Sequence, residues 1–214
     1  MFRSSRQRST HRIGLLAVIV IIAAVLPFSV ATANAAASVT TLSADEAIAQ
    51  ITAEDGMLRF DVAEDATRFV WTGDPALENG KPAHGTPYVT QGYIYPEGML
   101  TESNGVLPDG SPEFPDKVLG QWSCMGWWVG DPAHVDKSAP WITTHLFTFG
   151  EDYGEAMLVS EGYSIDELAV PLDRAIVGGT GPYDGARGVQ QETNLGFNAT
   201  DGVNVRYELH LAGA

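Results

Sequence analysis

Two features of this sequence predict an all-β fold, a sandwich or a barrel. The first is a series of nine short alternating or β-branched runs: Met57 to Val62, Arg68 to Thr72, Tyr88 to Tyr95, Val118 to Val129, Trp141 to Phe149, Ala156 to Gly162, Leu168 to Val177, Arg187 to Phe197 and Val203 to Leu211. Gly, Pro, Asn and Asp separate them, which is the punctuation of strands joined by turns, with eight closing and one peripheral. The second is the stretch from Val177 to Gly188, where Gly178, Gly179, Gly181, Pro182 and Gly185 lie between apolar runs. Glycine costs backbone entropy and proline removes a donor, so this stretch continues neither helix nor strand and must turn. After it Gly188, Gln190, Glu192 and Asn194 alternate with Val189, Gln191, Thr193, Leu195 and Phe197, the period of a strand with two unlike faces.

Taken in order, the chain begins with Arg3, Arg6, Arg8 and Arg12, an apolar run from Ile13 to Val25, and the small residues Ala33-Asn34-Ala35. That arrangement predicts a signal peptide over 1–35, cut after Ala35 or Ala37, and a secreted protein, extracellular or periplasmic. The apolar run is shorter than the roughly 20 residues a spanning helix needs, so no stable membrane anchor is expected after cleavage. Neither an Arg-Arg pair nor a nearby cysteine points to the twin-arginine route or a lipid anchor. Residues 36–56 form an N-terminal extension. Within it Ser43-Ala44-Asp45-Glu46, followed by Ala47, Ile48 and Ile51, predicts a short helix opened by a capping box. Residues 57–214 are expected to form one β domain, large enough to bury a full core.

Charge narrows the partners. The four leader arginines leave eight basic residues against 27 acidic ones, so the mature net charge is −19. Such a field repels nucleic acid and anionic membrane surfaces, and suits solubility with neutral or cationic partners. Cys124 is the only cysteine, so no intramolecular disulfide forms, and the expected role is a buried structural thiol.

A glycine-rich turn invites a phosphate-binding reading, and the spacing rejects it. Asp184 stands where a dinucleotide fingerprint needs its third glycine, and no Gly-Lys-Ser/Thr follows. Instead Gly178-Gly179-Thr180-Gly181-x-Tyr183-x-x-Ala186-Arg187-Gly188 resembles the glycine-rich signature of the dirigent proteins, which share an eight-stranded antiparallel β-barrel with allene oxide cyclases. Gly120-Gln121-Trp122-Ser123-Cys124-Met125-Gly126 is similar to a strand of secreted bacterial members of that superfamily. The resemblance spans about Tyr88 to Leu211. It implies an eight-stranded antiparallel barrel that binds and orients a hydrophobic small molecule, as dirigent proteins steer coupling and related cyclases direct one cyclisation. It also implies a homo-dimer or homo-trimer, and no cofactor. Allene oxide cyclases usually differ at the arginine position, which brings the pattern closer to the dirigent proteins.

The candidate catalytic residues are accordingly Arg187, matching the motif arginine, with Glu192 and Asp184 as its possible partners. Gln190 and Asn194 share the Glu192 face and join it as candidate ligand-binding residues. Trp122 and Trp128 share one face of their strand, while Tyr93 and Tyr95 offer a second apolar wall. His145 lies mid-strand, but His84, His134, His145 and His210 show no metal-ligand spacing, so no metal is expected and a cupin-like metal enzyme is the least favoured reading. A non-catalytic barrel filled by its own side chains remains the alternative. The long connection from Pro96 to Lys117 carries Met99, Leu100, Val106, Leu107 and Phe114 and is expected either to close one barrel mouth or to be a surface excursion. Asn198-Ala199-Thr200 fits a glycosylation sequon.

Overall fold

The computed structural model describes residues 42–71, 82–129, 141–165 and 167–212; the predicted signal peptide lies outside them. Helix α1 (Ala44–Ile51) precedes eight strands: β1 (Leu58–Trp71), β2 (Pro87–Pro96), β3 (Gly120–Trp128), β4 (Trp141–Phe149), β5 (Met157–Ser164), β6 (Leu172–Thr180), β7 (Gly188–Phe197) and β8 (Val203–Leu211). Each strand pairs antiparallel with the next, and β8 returns to β1 with Tyr207 opposite Phe60, closing the barrel. Closure satisfies every edge that an open sheet would leave bare.

Nine predicted runs become eight strands because the first two, beginning at Met57 and at Arg68, merge into β1; Thr72 lies outside the described residues. The intervening Ala63-Glu64-Asp65-Ala66-Thr67 reads as a break because it carries two carboxylates. In the structure it is strand, with a register shift against β2 between Asp65 and Val70. Asp65 stabilises that irregularity by accepting from the Thr67 backbone N–H at 3.0 Å and from Arg68 Nε at 2.6 Å.

At one end of the barrel the interior is filled. Phe60 meets Phe147 edge-on at 5.2 Å and Phe149 at 5.7 Å, and Phe147 meets Tyr207 at 5.0 Å, the arrangement aromatic quadrupoles favour. Helix α1 packs Ala44, Ala47 and Ile51 onto this core. Its predicted capping box is present: Glu46 N–H donates to Ser43 Oγ, and Ser43 N–H donates to Glu46 Oε2 at 3.0 Å.

The glycine-rich turn lies at the same end, where Tyr183 packs edge-on against Phe149 at 5.8 Å. Its glycines answer to close approach. A Cβ on Gly179 would stand 2.6 Å from the Met157 carbonyl oxygen, and one on Gly181, at φ +59°, would stand 1.9 Å from that of Glu155.

The Pro96–Lys117 connection does not cover a mouth. It lies along the outer side of β1, β2 and β8, where Leu100 and Val106 bury themselves against Ala63 and Tyr95. Asp61, fully buried on that side, accepts from Leu100 N–H at 3.0 Å and from Arg206 Nε at 2.9 Å. The apolar residues of this segment therefore serve a second, external core.

Candidate functional site

The other half of the barrel holds a cavity of about 130 Å³. That is the scale of a cavity that accepts a single benzene ring. Its walls come from inward-facing positions: Tyr88 and Thr90 of β2, Trp122 and Cys124 of β3, and Val205 and Tyr207 of β8 are mostly apolar. Phe69 and Trp141 extend the aromatic lining, with Phe69 stacked on Tyr88 at 5.3 Å and Trp141 edge-on to Tyr88 at 4.7 Å.

One polar cluster interrupts this surface, built around Glu192 of β7. Its Oε1 accepts from Ser164 Oγ at 2.7 Å, its Oε2 accepts from Gln190 Nε2 at 3.3 Å, and Arg174 Nε lies 3.7 Å from Oε2. Arg174 is itself buried. Its Nη1 donates to Thr143 Oγ1 at 2.6 Å and to Ser164 Oγ at 2.8 Å, and its Nη2 donates to the Thr143 carbonyl at 2.9 Å. These fixed donors hold the guanidinium in one orientation beside the carboxylate. Burial raises the Glu192 pKa above the ordinary carboxylate value, opposed by Arg174 and the Ser164 hydrogen bond. For His145, burial and then the Arg174 charge hold the pKa well below the usual imidazole value, so it is neutral. Its Nδ1 lies 3.4 Å from Tyr207 Oη and 3.7 Å from Glu192 Oε2.

Across the cavity, Glu64 of β1 accepts from Thr90 Oγ1 at 2.7 Å and from the Val203 backbone N–H at 2.9 Å. Burial raises its pKa too. Asn198 supports this strand from behind: its Nδ2 donates to the Glu64 carbonyl at 2.8 Å and to Asn204 Oδ1 at 3.1 Å. The side chain of the sequon is therefore buried and engaged, the opposite of what a folded glycosylation acceptor requires. Cys124 sits beside Tyr88, its Sγ 3.3 Å from Tyr88 Oη, and burial pushes its thiol up to about 12, as befits a structural residue. Trp122 Nε1, Arg174 Nε and Gln190 Oε1 are buried without a hydrogen-bond partner.

The predicted site residues divide sharply. Glu192, Asn194, Trp122 and His145 line the cavity, with Gln190 donating to Glu192 from below. Trp128 faces inward and meets Trp141 at 4.6 Å. Tyr93 and Tyr95 face the outer core, donating to the carbonyls of Gly110 and Gly105, because odd-numbered β2 residues point outward. Arg187 and Asp184 are exposed at the filled end, and Arg187 Nη1 donates to the Ala186 carbonyl at 2.7 Å. Arg187 shares parity with the outward-facing Val189, so its side chain points away from Glu192. The partner of Glu192 is Arg174.

Arg174 and Glu64 escaped the sequence reading although a signal was present. Arg174 shares parity with Leu172 and Ile176, and Glu64 with Phe60 and Val62. A charge at an apolar position of a strand marks an interior ion. Among the described residues, no three His, Cys, Asp or Glu side chains are grouped to hold a metal.

No protein-family model matches the chain, and no curated protein does. Solved structures do. The pterocarpan synthase dirigent protein GePTS1 is 20% identical over 72% of this chain and 82% of its own, with a TM-score of 0.50. The pterocarpan synthase dirigent protein PsPTS1 is 21% identical over 72% and 92%, also at 0.50. Pyocyanin demethylase is 15% identical over 73% and 99%, at 0.47. The likeness is one of fold: this chain is built on the dirigent-type closed barrel that its glycine motif implies.

Proposed function

We propose that this is a secreted protein that binds a small, largely apolar molecule in the open half of its barrel and holds it in one reactive conformation. Cyclisation, isomerisation or coupling would then be directed mainly by orientation. The observation that carries this reading is the Glu192 carboxyl at the wall of a largely apolar cavity, with Arg174 buried beside it. Ions are expensive to bury, and a barrel that only had to fill itself would place carbon there, as its other half does. Trp122 Nε1, which lacks a partner, supplies a donor for a ligand oxygen. Glu192 supplies a proton acceptor whose conjugate form burial favours, and Arg174 stabilises its charge.

Native mass spectrometry of the secreted protein from its own host, followed by denaturation to release bound compounds, tests this. One apolar compound per chain is expected, lost in Glu192→Ala. An empty barrel with no shift in Tm across an apolar ligand panel would overturn the reading. N-terminal sequencing of the same material checks cleavage after Ala35 or Ala37. A dimer or trimer would cover the outer face of β3 to β5, where exposed Trp127, Ile142 and Tyr163 are cross-strand neighbours. Sedimentation velocity on the same sample measures it.

A further inference from the structure

The cavity and its immediate surroundings hold more acidic groups than basic ones. Two carboxylates, Glu64 and Glu192, line it, and one guanidinium, Arg174, lies beside Glu192 with its terminal nitrogens committed to Thr143, Tyr163 and Ser164. Among the described residues, no cation pairs with Glu64. Its two partners, the Thr90 hydroxyl and the Val203 amide, are neutral donors that fix the carboxyl at the wall. Asp65, next in the chain, faces outward and has Arg68. The same cavity presents the rings of Phe69, Tyr88 and Trp141, and ring faces attract cations. The chain as a whole carries 27 acidic against 12 basic residues, a field that concentrates cations at its openings.

We infer that the ligand is a compact organic cation, an aromatic molecule bearing an ammonium or iminium nitrogen that pairs with Glu64 between the rings of Tyr88 and its neighbours. This rests on the pocket reading given above and names the chemical class that the pocket selects. A buried carboxyl ionises when a counter-charge comes beside it, and here the ligand brings that charge.

The test compares two molecules of one shape, N,N,N-trimethylanilinium and neutral tert-butylbenzene, by calorimetry and tryptophan fluorescence on the mature protein. The cation is expected to bind about tenfold more tightly than tert-butylbenzene, and Glu64→Gln to abolish that preference. A second arm needs no variant. Glu64 must lose its proton to pair with the cation, so trimethylanilinium affinity should rise as the pH climbs through the raised Glu64 pKa while that of tert-butylbenzene stays flat. Tyr88, Cys124 and Tyr207 sense the Glu64 charge, Asp65 acts on Glu64 in turn, and His145, Glu192 and Arg174 lie in or beside the same cavity; the folded Glu64→Gln protein isolates the Glu64 share.

Equal affinities, tighter binding of tert-butylbenzene, or a preference that survives in folded Glu64→Gln would overturn the cation inference and leave the pocket standing. Binding of neither molecule would overturn both. If Glu64→Gln does not fold, a flat pH series for the cation on the unaltered protein overturns the inference.

Discussion

The two halves of the barrel interior are built by the same strands at the same inward parity, yet one is solid and the other hollow. Along β4 the inward residues run Phe149, Phe147, His145, Thr143; along β1 they run Phe60, Val62, Glu64. Along β6, Ile176 gives way to Arg174. Each of these strands changes from carbon to polar atoms at about the same level. The filled half fixes register and shape by packing, and the hollow half spends part of that stability on ions and an empty volume. A site that must hold its groups still is thus mounted on a core that does not move.

Removing Phe147 should have the largest effect. Phe147→Ala opens a void among Phe60, Tyr207 and His145 and should cost about 3 to 5 kcal/mol in urea denaturation. A loss under about 1 kcal/mol would mean that the filled half is not the foundation, against the expected cavity cost. Arg174→Leu comes next, at about 3 kcal/mol, because it removes the cation beside Glu192 and the donor to the Thr143 carbonyl. Little change in the same denaturation would show that water already serves those groups.

Leu100→Ala should cost about 2 kcal/mol, since the outer cladding is a smaller core. It should leave ligand affinity unaltered in calorimetry; a marked loss of affinity would restore a gating role to the Pro96–Lys117 segment. Glu192→Gln should give a smaller, pH-dependent effect. The folded pKa of Glu192 is raised, so its stability contribution is full below its unfolded pKa and lost as pH rises through the folded value. Glutamine does not ionise, so the Tm of the variant relative to the unaltered protein should climb with pH across that window. A gap that is constant with pH would place Glu192 in a water-like environment. Smallest of all, Arg187→Ala should change stability by less than about 0.5 kcal/mol and ligand affinity not at all, because the arginine is exposed at the far end from the cavity.

Much of this architecture was legible in the sequence because turns and alternation are local. The period of Gln190, Glu192 and Asn194 predicted their common face, and Ser43 with Glu46 predicted the helix start. What escaped was long-range. Nearness in sequence offers Glu192 to Arg187, but Arg187 has the outward parity of Val189 and lies at the filled end, which only the closed barrel shows. The real partner, Arg174, sits on the neighbouring strand, where it lies opposite Gln190 in the register. Glu64 was lost for a related reason: carboxylates inside a strand read as a turn, and only closure of the barrel shows that one faces in and the next faces out. Tyr93 and Tyr95 looked like pocket walls because nothing local announces a second core outside the barrel.

The buried amide of Asn198 has a practical consequence for anyone producing this protein. Oligosaccharyltransferase acts on extended chain, and a glycan on Asn198 Nδ2 would take one of the two hydrogens that it donates to the Glu64 carbonyl and Asn204 Oδ1, and wedge the β7–β8 turn away from β1. In yeast or mammalian secretion the sequon would act as a timer: chains that fold first escape with a bare asparagine, and chains modified first are diverted to quality control. Yield in such hosts would then follow the speed of barrel closure, and Asn198→Asp would be a poor remedy, since a carboxylate cannot donate the hydrogen bond that the amide supplies.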